Sequence, residues 1–384
     1  MVATGFCAGA ACARDWPRHA VRRACTLGQG RKPESRPDSN VRRGHMALVQ
    51  RRAFLKKAAV SAGCLAAASV LGTGRAWSQA ALPTVKAGVL ATGTVNWELV
   101  TMQARGLDKA NGFQLAIQGY ADNPATDIAL AGDAVNLIVS DYMVVSIART
   151  RGIGYTWVPH SLTVGGVIVK KDGPVKSVRD LAGKTIAVSG GANDKSYLLL
   201  RVWTKANIGQ DIAQAAKEVK FAAPQLVNDA LEKGEADATM NMWNWNARLL
   251  AKPAFTELMG TDKILVDLGV ARPMPLIGWV FKESWARENS ALVNNFFKAS
   301  LATKQVLRTD NAAWDALKDR MGAATDPALF TSLRDQYRRG IVTSYTAEDR
   351  AAAEKAFEIM AAIAPEVTGS PKVAPGTFYG GFTF

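Results

Sequence analysis

Lys184-Thr-Ile-Ala-Val-Ser-Gly-Gly-Ala-Asn-Asp-Lys-Ser-Tyr-Leu-Leu-Leu-Arg-Val-Trp203 is the stretch from which the fold of this chain can be read. Thr185–Val188 is a short β-branched run with the character of a buried strand. Gly190 and Gly191 allow a sharp turn with exposed backbone amides. Asn193 or Asp194 can then cap a helix that carries Tyr197, Leu198, Leu200 and Arg201. Strand, glycine turn and helix start together make a pocket of backbone donors at a strand's carboxyl end, where open α/β sheets bind ligands.

Working outward, the same device occurs about 100 residues earlier. Val85–Leu90 corresponds to Thr185–Val188, and the loop that reaches Trp97 corresponds to the loop that reaches Tyr197. Asp127-Ile-Ala-Leu-Ala-Gly-Asp-Ala134 is paralleled by Asp229-Ala-Leu-Glu-Lys-Gly-Glu-Ala236, each reading as a helix, a glycine C-cap and an acid before a strand. The strands that follow end in Ser140-Asp141-Tyr142 and in Met242-Trp243-Asn244-Trp245. Two related α/β lobes are expected, not a solenoid. Beyond the second lobe, Leu276–Phe281 reads as a strand, and helices are expected at roughly 290–308, 311–320, 327–338 and 347–362. The Gly/Pro/aromatic tail Pro371–Phe384 is expected to drape over the surface.

The first 80 residues read differently. Residues 1–45 have no apolar periodicity and are expected to lack a fold, as an upstream segment or an extended leader. Met46 opens a conventional leader in which Arg51-Arg52 precedes Phe54-Leu55-Lys56. This resembles the twin-arginine export signal. The apolar stretch Ala58–Gly72 is too short to span a bilayer, and Ala76-Trp-Ser-Gln-Ala80 offers a cut near Ala80. Of 47 Lys/Arg and 33 Asp/Glu, 14 and 3 fall in residues 1–80, which leaves 33 and 30 and a net charge of +3 in place of +14. The basic balance therefore belongs to the leader and gives no argument for a nucleic-acid partner. Cys7, Cys12, Cys25 and Cys64 also lie there, so residues 81–384 can form neither a disulfide nor a thiolate metal site. No metal or other cofactor is expected.

Val178-Arg-Asp-Leu-Ala-Gly-Lys-Thr-Ile-Ala-Val188 and the Leu-x-x-Gly-Glu-Ala-Asp-Ala segment ending at Ala238, followed by Trp243, carry a family resemblance. They are similar to periplasmic substrate-binding proteins of ABC importers, of the nitrate/sulfonate/taurine group related to thiamine-pyrimidine precursor binders. The resemblance covers about 82–384. It implies an α/β, two-lobed type II periplasmic-binding-protein fold with two crossover strands forming a hinge. Residues 82–168 and 276–384 would be lobe 1, and residues 169–275 lobe 2. It implies a monomer in the periplasm that captures a small polar organic ligand and hands it to a membrane permease, without catalysis. A ligand-sensing or partner protein on the same fold stays open, as does a small-molecule enzyme related to thiamine-pyrimidine synthases. Those enzymes carry a His/Cys-rich motif, whereas His160 is the only histidine after the leader and is read as structural.

The facing loops supply the expected ligand contacts. Lobe 1 offers Asn96, Trp97, Asp141 and Tyr142; lobe 2 offers Ser189, Gly190, Asn193, Asp194, Ser196, Tyr197 and Trp243. Aromatics would give a flat surface, while amides and hydroxyls fix orientation. Asp141 and Asp194 depart from the neutral hydroxyls and amides usual for anion binders. A carboxylate at a helix start is itself the anion the dipole favours. A polyol, an amine, a zwitterion or an aromatic heterocycle is therefore as open as an oxyanion.

Overall fold

The computed structural model describes residues 81–384 apart from Pro273, so the leader and its export signal lie outside the described residues. In chain order, β1 (Thr84–Leu90) leads through α1 (Val95–Ala104) to β2 (Gln114–Tyr120), and α2 (Asn123–Ala131) leads to β3 (Leu137–Asp141). Helix α3 (Tyr142–Thr150) and β4 (Tyr155–Ser161) follow. The chain then crosses through residues 162–164 into β5 (Gly165–Lys170) and β6 (Thr185–Val188). Next come α4 (Lys195–Ile208), β7 (Glu218–Phe221), α5 (Pro224–Lys233) and β8 (Ala238–Met242). Helix α6 (Trp243–Leu250), β9 (Phe255–Gly260) and α7 (Thr261–Asp267) complete this half. A second crossover, residues 268–276, returns to β10 (Ile277–Lys282).

The expected duplication is present in the pairing. Lobe 1 has the strand order β2-β1-β3-β10-β4 and lobe 2 the order β7-β6-β8-β5-β9. In each sheet the first three strands are parallel, and the fourth, which enters directly from a crossover, runs antiparallel to both neighbours. The inner parallel strands β1 and β6 are buried: Val85, Ala87 and Val89 of β1 and all of Ile186–Val188 of β6 are inaccessible or nearly so. This is the apolar run that a sheet covered on both faces requires. Helix ends follow local chemistry. Asp122 caps α2 through the Ala125 amide, and Gly234 ends α5 in the left-handed region at φ 77°.

Two expectations need correction. Strand β5 pairs with β8 and β9, so the first lobe boundary falls at 162–164 instead of after residue 168. The tail does more than drape. Phe378, Tyr379, Phe382 and Phe384 pack against the main core, Tyr379 donates its amide to the Trp157 carbonyl at 2.9 Å, and Tyr345 donates to that of Phe384 at 2.8 Å.

The helices after β10 reach across the hinge. Helix α8 (Ser290–Thr309) packs on α1 within lobe 1, α9 (Pro327–Arg339) packs on α6 of lobe 2, and α10 (Ala347–Ile363) packs on α4 of lobe 2. The two lobes therefore share a continuous core beside the crossovers.

Candidate functional site between the lobes

The carboxyl ends of both sets of parallel strands face one seam. At the opening stretch, Gly190 and Gly191 adopt φ 81° and 84°, and Asp194 caps α4. Asp194 Oδ1 accepts the amides of both Ser196 and Tyr197 at 3.0 Å, and the Ser189 amide donates to Met240 O. The expected pocket of backbone donors is thus filled by the chain's own carboxylate. A Cβ on Gly190 would lie 2.9 Å from Asp194 Oδ2, so glycine is required there to admit the cap.

Asp141 occupies the matching place in lobe 1, where it accepts the Val144 amide at 3.0 Å as the cap of α3. Its Oδ2 also meets Lys195 Nζ at 3.5 Å, joining lobe 1 to lobe 2 through an ion pair whose side chains are four-fifths buried. Burial pushes the Asp194 carboxyl up, only partly offset by Lys195 and the capping amides. Burial alone would lower Lys195, but Asp141 and Asp194 outweigh it and hold the ammonium above its usual range. Asp127 is likewise pushed up, first by burial and then by Asp141. This edge of the seam carries more carboxylate than cation.

The other contact is aromatic. Trp97 of lobe 1 meets Trp243 of lobe 2 edge-on at 5.8 Å, and Tyr337 of α9 packs on both, at 5.8 Å and 6.1 Å. Trp314 closes the cluster against Trp97 and Tyr337. Trp97 is fully enclosed while Trp243 is half-buried, so only Trp243 keeps a usable face.

The remaining expected residues divide. Asn193 is exposed beside the turn, and Ser189 and Ser196 are buried under it. Asn96 folds back, donating to Leu90 O at 2.7 Å and Gly93 O at 3.0 Å, and so closes its own loop. Tyr197 packs edge-on against Phe221 at 5.6 Å inside lobe 2. For Tyr142 the expectation is corrected. Its side chain lies in the core of lobe 1, edge-on to Trp157, with its hydroxyl donating to Ala353 O at 3.1 Å.

Sequence reasoning missed Tyr337 and Trp314, which arrive from the helices after β10. It also missed a cavity of about 170 Å³ at the hinge side of the seam, between the first crossover, α6, the β9–α7 turn and the end of α9. Trp243, Asn246 and Leu250 line it from one face of α6. Their spacing of three and four residues was the available signal.

Two lobes of like topology, tied by two crossovers and meeting through side chains at their strand ends, define the class of two-lobed periplasmic binding proteins. The sequence agrees. Residues 94–310, more than half of the chain, match the family model described as NMT1/THI5 like, and the chain belongs to that family. No curated protein sequence matches it. Among solved structures, the periplasmic aliphatic sulphonate binding protein SsuA of Escherichia coli is similar, with a TM-score of 0.60 at 17% identity over 77% of this chain and 96% of that one. The alkanesulfonate-binding protein SsuA of Xanthomonas axonopodis, bound to MOPS, is similar at a TM-score of 0.60 and 16% identity, over 78% and 99% of the two chains. An ABC transporter protein from Parabacteroides distasonis gives a TM-score of 0.59 at 12% identity, over 77% and 98%.

Proposed function

We propose that this protein is the extracytoplasmic solute-binding component of an ABC transporter. It would close its two lobes on a small polar organic ligand and deliver it to a membrane permease. The observation that carries this reading is the seam itself. Two duplicated lobes turn their strand ends toward each other and meet there through Asp141–Lys195 and Trp97–Trp243, contacts a hinge can make and break. The similarity to sulfonate-binding proteins makes sulfonates the first ligands to try, and the self-capped start of α4 argues against a simple oxyanion site there.

A binding role without turnover agrees with the chemistry of the described residues. They include no cysteine, and the histidine His160 is buried beside Lys304 and held well below its usual pKa, by burial first and the neighbouring ammonium second. The reading includes a monomer, export by the twin-arginine route, and cleavage near Ala80. Amino-terminal sequencing of the exported protein should begin near Ala81, and Arg51→Lys together with Arg52→Lys should block export. Small-angle scattering across a panel of sulfonates, nitrate, polyols, amines and pyrimidines should find a solute that shifts the radius of gyration at saturation. If none does, the hinge-binding reading fails.

A further inference from the structure

Helix α1 divides its apolar residues between two cores. Leu99 and Met102 are wholly buried in the main core, where α1 packs on β1 and β2. Trp97 and Val100, also three residues apart but on another face of the helix, join a second cluster. The rest of that cluster comes from α6 and its C-cap, the end of α8, and residues 313–341. Among the described residues, Trp97 is the only buried member of this cluster that precedes the first crossover. The duplication isolates what is unusual about it. Tyr197 holds the same place in α4, the third residue of the helix, yet its ring stays inside lobe 2 against Phe221. Trp97 instead reaches out of its own lobe.

Residues 312–340 provide most of what receives it. This segment sits on lobe 2: α9 packs along α6, and Ser332 Oγ donates to Ala247 O at 2.7 Å. Arg248 of α6 donates to Met321 O at 3.3 Å, and Arg339 stands 3.5 Å from Glu257. Its attachment to lobe 1 is made through side chains. Trp314 Nε1 and Arg338 Nε donate to Leu307 O at 2.7 Å and 2.9 Å, beside the point where the chain leaves α8. The Tyr337 hydroxyl bonds Glu98. Tyr337 also meets Trp243 at 6.1 Å and Trp314 at 5.2 Å, so the three rings form an aromatic socket by themselves. The Trp97 indole fills it, 5.8 Å from Trp243, 6.1 Å from Trp314 and 5.8 Å from Tyr337, and keeps only 4% of its surface exposed. A helix-on-helix face on one side and an inserted side chain on the other decide which contact yields as the lobes part. The bonds at Leu307 lie at the chain's own junction and can act as a pivot, whereas Trp97 must come out.

We propose that Trp97 is a latch: it holds the lobes closed in the absence of solute, and its withdrawal from the aromatic socket is the step that opens the seam. The inference rests on the solute-binding reading and supplies its regulation. Withdrawal puts the indole and the emptied socket into water, so the latch keeps the open population small. Solute enters from the open population, and the latch therefore slows capture without having to touch the solute.

Small-angle scattering from the exported protein without solute tests the latch. Trp97→Ala should give a larger radius of gyration than wild type. Saturating indole, which refills the vacated socket, should return that variant to the wild-type radius and leave wild type itself unchanged. Leu99→Ala removes a side chain from the other face of the same helix; it should lower the urea midpoint yet keep the wild-type radius. Circular dichroism checks that each variant is folded. If Trp97→Ala is not, Trp97→Phe, which leaves a smaller ring in the socket, should still show a partial expansion. A folded Trp97 variant with the wild-type radius, an equal expansion in Leu99→Ala, or an expanded Trp97→Ala that indole does not compact overturns the proposal. If the latch falls in this way while a solute shifts the wild-type radius, the solute-binding reading stands. If Trp97→Ala opens and indole closes it, but no solute of the panel shifts either protein, the latch stands as a lobe contact and that reading fails.

Discussion

Glu98, Lys304 and His160 form the most consequential buried group in lobe 1. Glu98 is wholly enclosed and accepts hydrogen bonds from Ser300, Lys304 and the Tyr337 hydroxyl, while His160 Nδ1 stands 3.3 Å from Lys304 Nζ. The His160 ring meets Trp279 of β10 edge-on at 5.2 Å. Burial lowers Lys304, partly offset by Glu98. An enclosed pair of this kind adds little over an apolar replacement, but breaking it strands a charge. Glu98→Ala should destabilise the protein by about 3–5 kcal/mol in urea unfolding, and the double variant Glu98→Leu with Lys304→Met by clearly less. His160 adds a pH term. The folded state keeps the ring neutral, whereas the unfolded chain takes up a proton below about pH 6.5. The unfolded state then binds more protons, so stability should fall as pH drops below that value, by up to ~1.4 kcal/mol per pH unit. A His160→Asn variant should show a flatter melting profile between pH 5 and 7. None of this was legible in the sequence beyond a structural reading of His160. Positions 98, 160 and 304 come from separate elements, and spacing cannot pair residues so far apart in the chain.

Elements were legible wherever their own residues dictate them. Thr185–Val188 is a strand with the bounds its β-branched run suggests, Asp194 caps α4, and Gly234 ends α5. The strand ends also match: β3 stops at Asp141 and β8 at Met242, and Tyr142 and Trp243 each open the next helix. What the spacing left open was the direction of each side chain. Tyr142 and Trp243 hold equivalent positions, yet α10 covers the first and supplies the Ala353 carbonyl for its hydroxyl, while the second keeps an open face at the seam. The tail was misjudged for a related reason: an irregular Gly/Pro segment has no periodicity with which to announce that its aromatics are buried. Strand β10 offers a test at this scale. A Cβ on Gly278 would stand 2.2 Å from Trp157 Cε2 and 2.3 Å from Val158 O, so a methyl group must displace a fully buried indole. Gly278→Ala should cost at least the 1–3 kcal/mol typical of overpacking, read as a lower urea midpoint with unchanged slope.

Across the whole molecule, the solute-binding reading makes closure a balance between a few contacts at the seam and the helices that bridge it. Lys195→Ala removes the pair to Asp141, which for a mostly buried pair is worth about 1 kcal/mol, or roughly a fivefold shift toward the open form. Scattering from the variant without ligand should give a larger radius of gyration than wild type; an unchanged radius would mean that α9 and α10, which grip lobe 2 through α6 and α4, set the angle instead. The crossovers have a further consequence, for the order in which the molecule can be made. Lobe 2 is one uninterrupted run from β5 to α7, so its sheet is complete as soon as that run leaves the ribosome. Lobe 1 is split. Its β3 and β4 cannot be joined until β10 is synthesised, after all of lobe 2, and Trp157 waits longer still for Phe378 and Tyr379. The lobe begun first is thus finished last, and during synthesis its open β3 and β4 edges need protection from pairing elsewhere. Limited proteolysis of stalled nascent chains should find lobe 2 resistant once residue 267 has emerged, and lobe 1 sensitive until the chain is nearly complete.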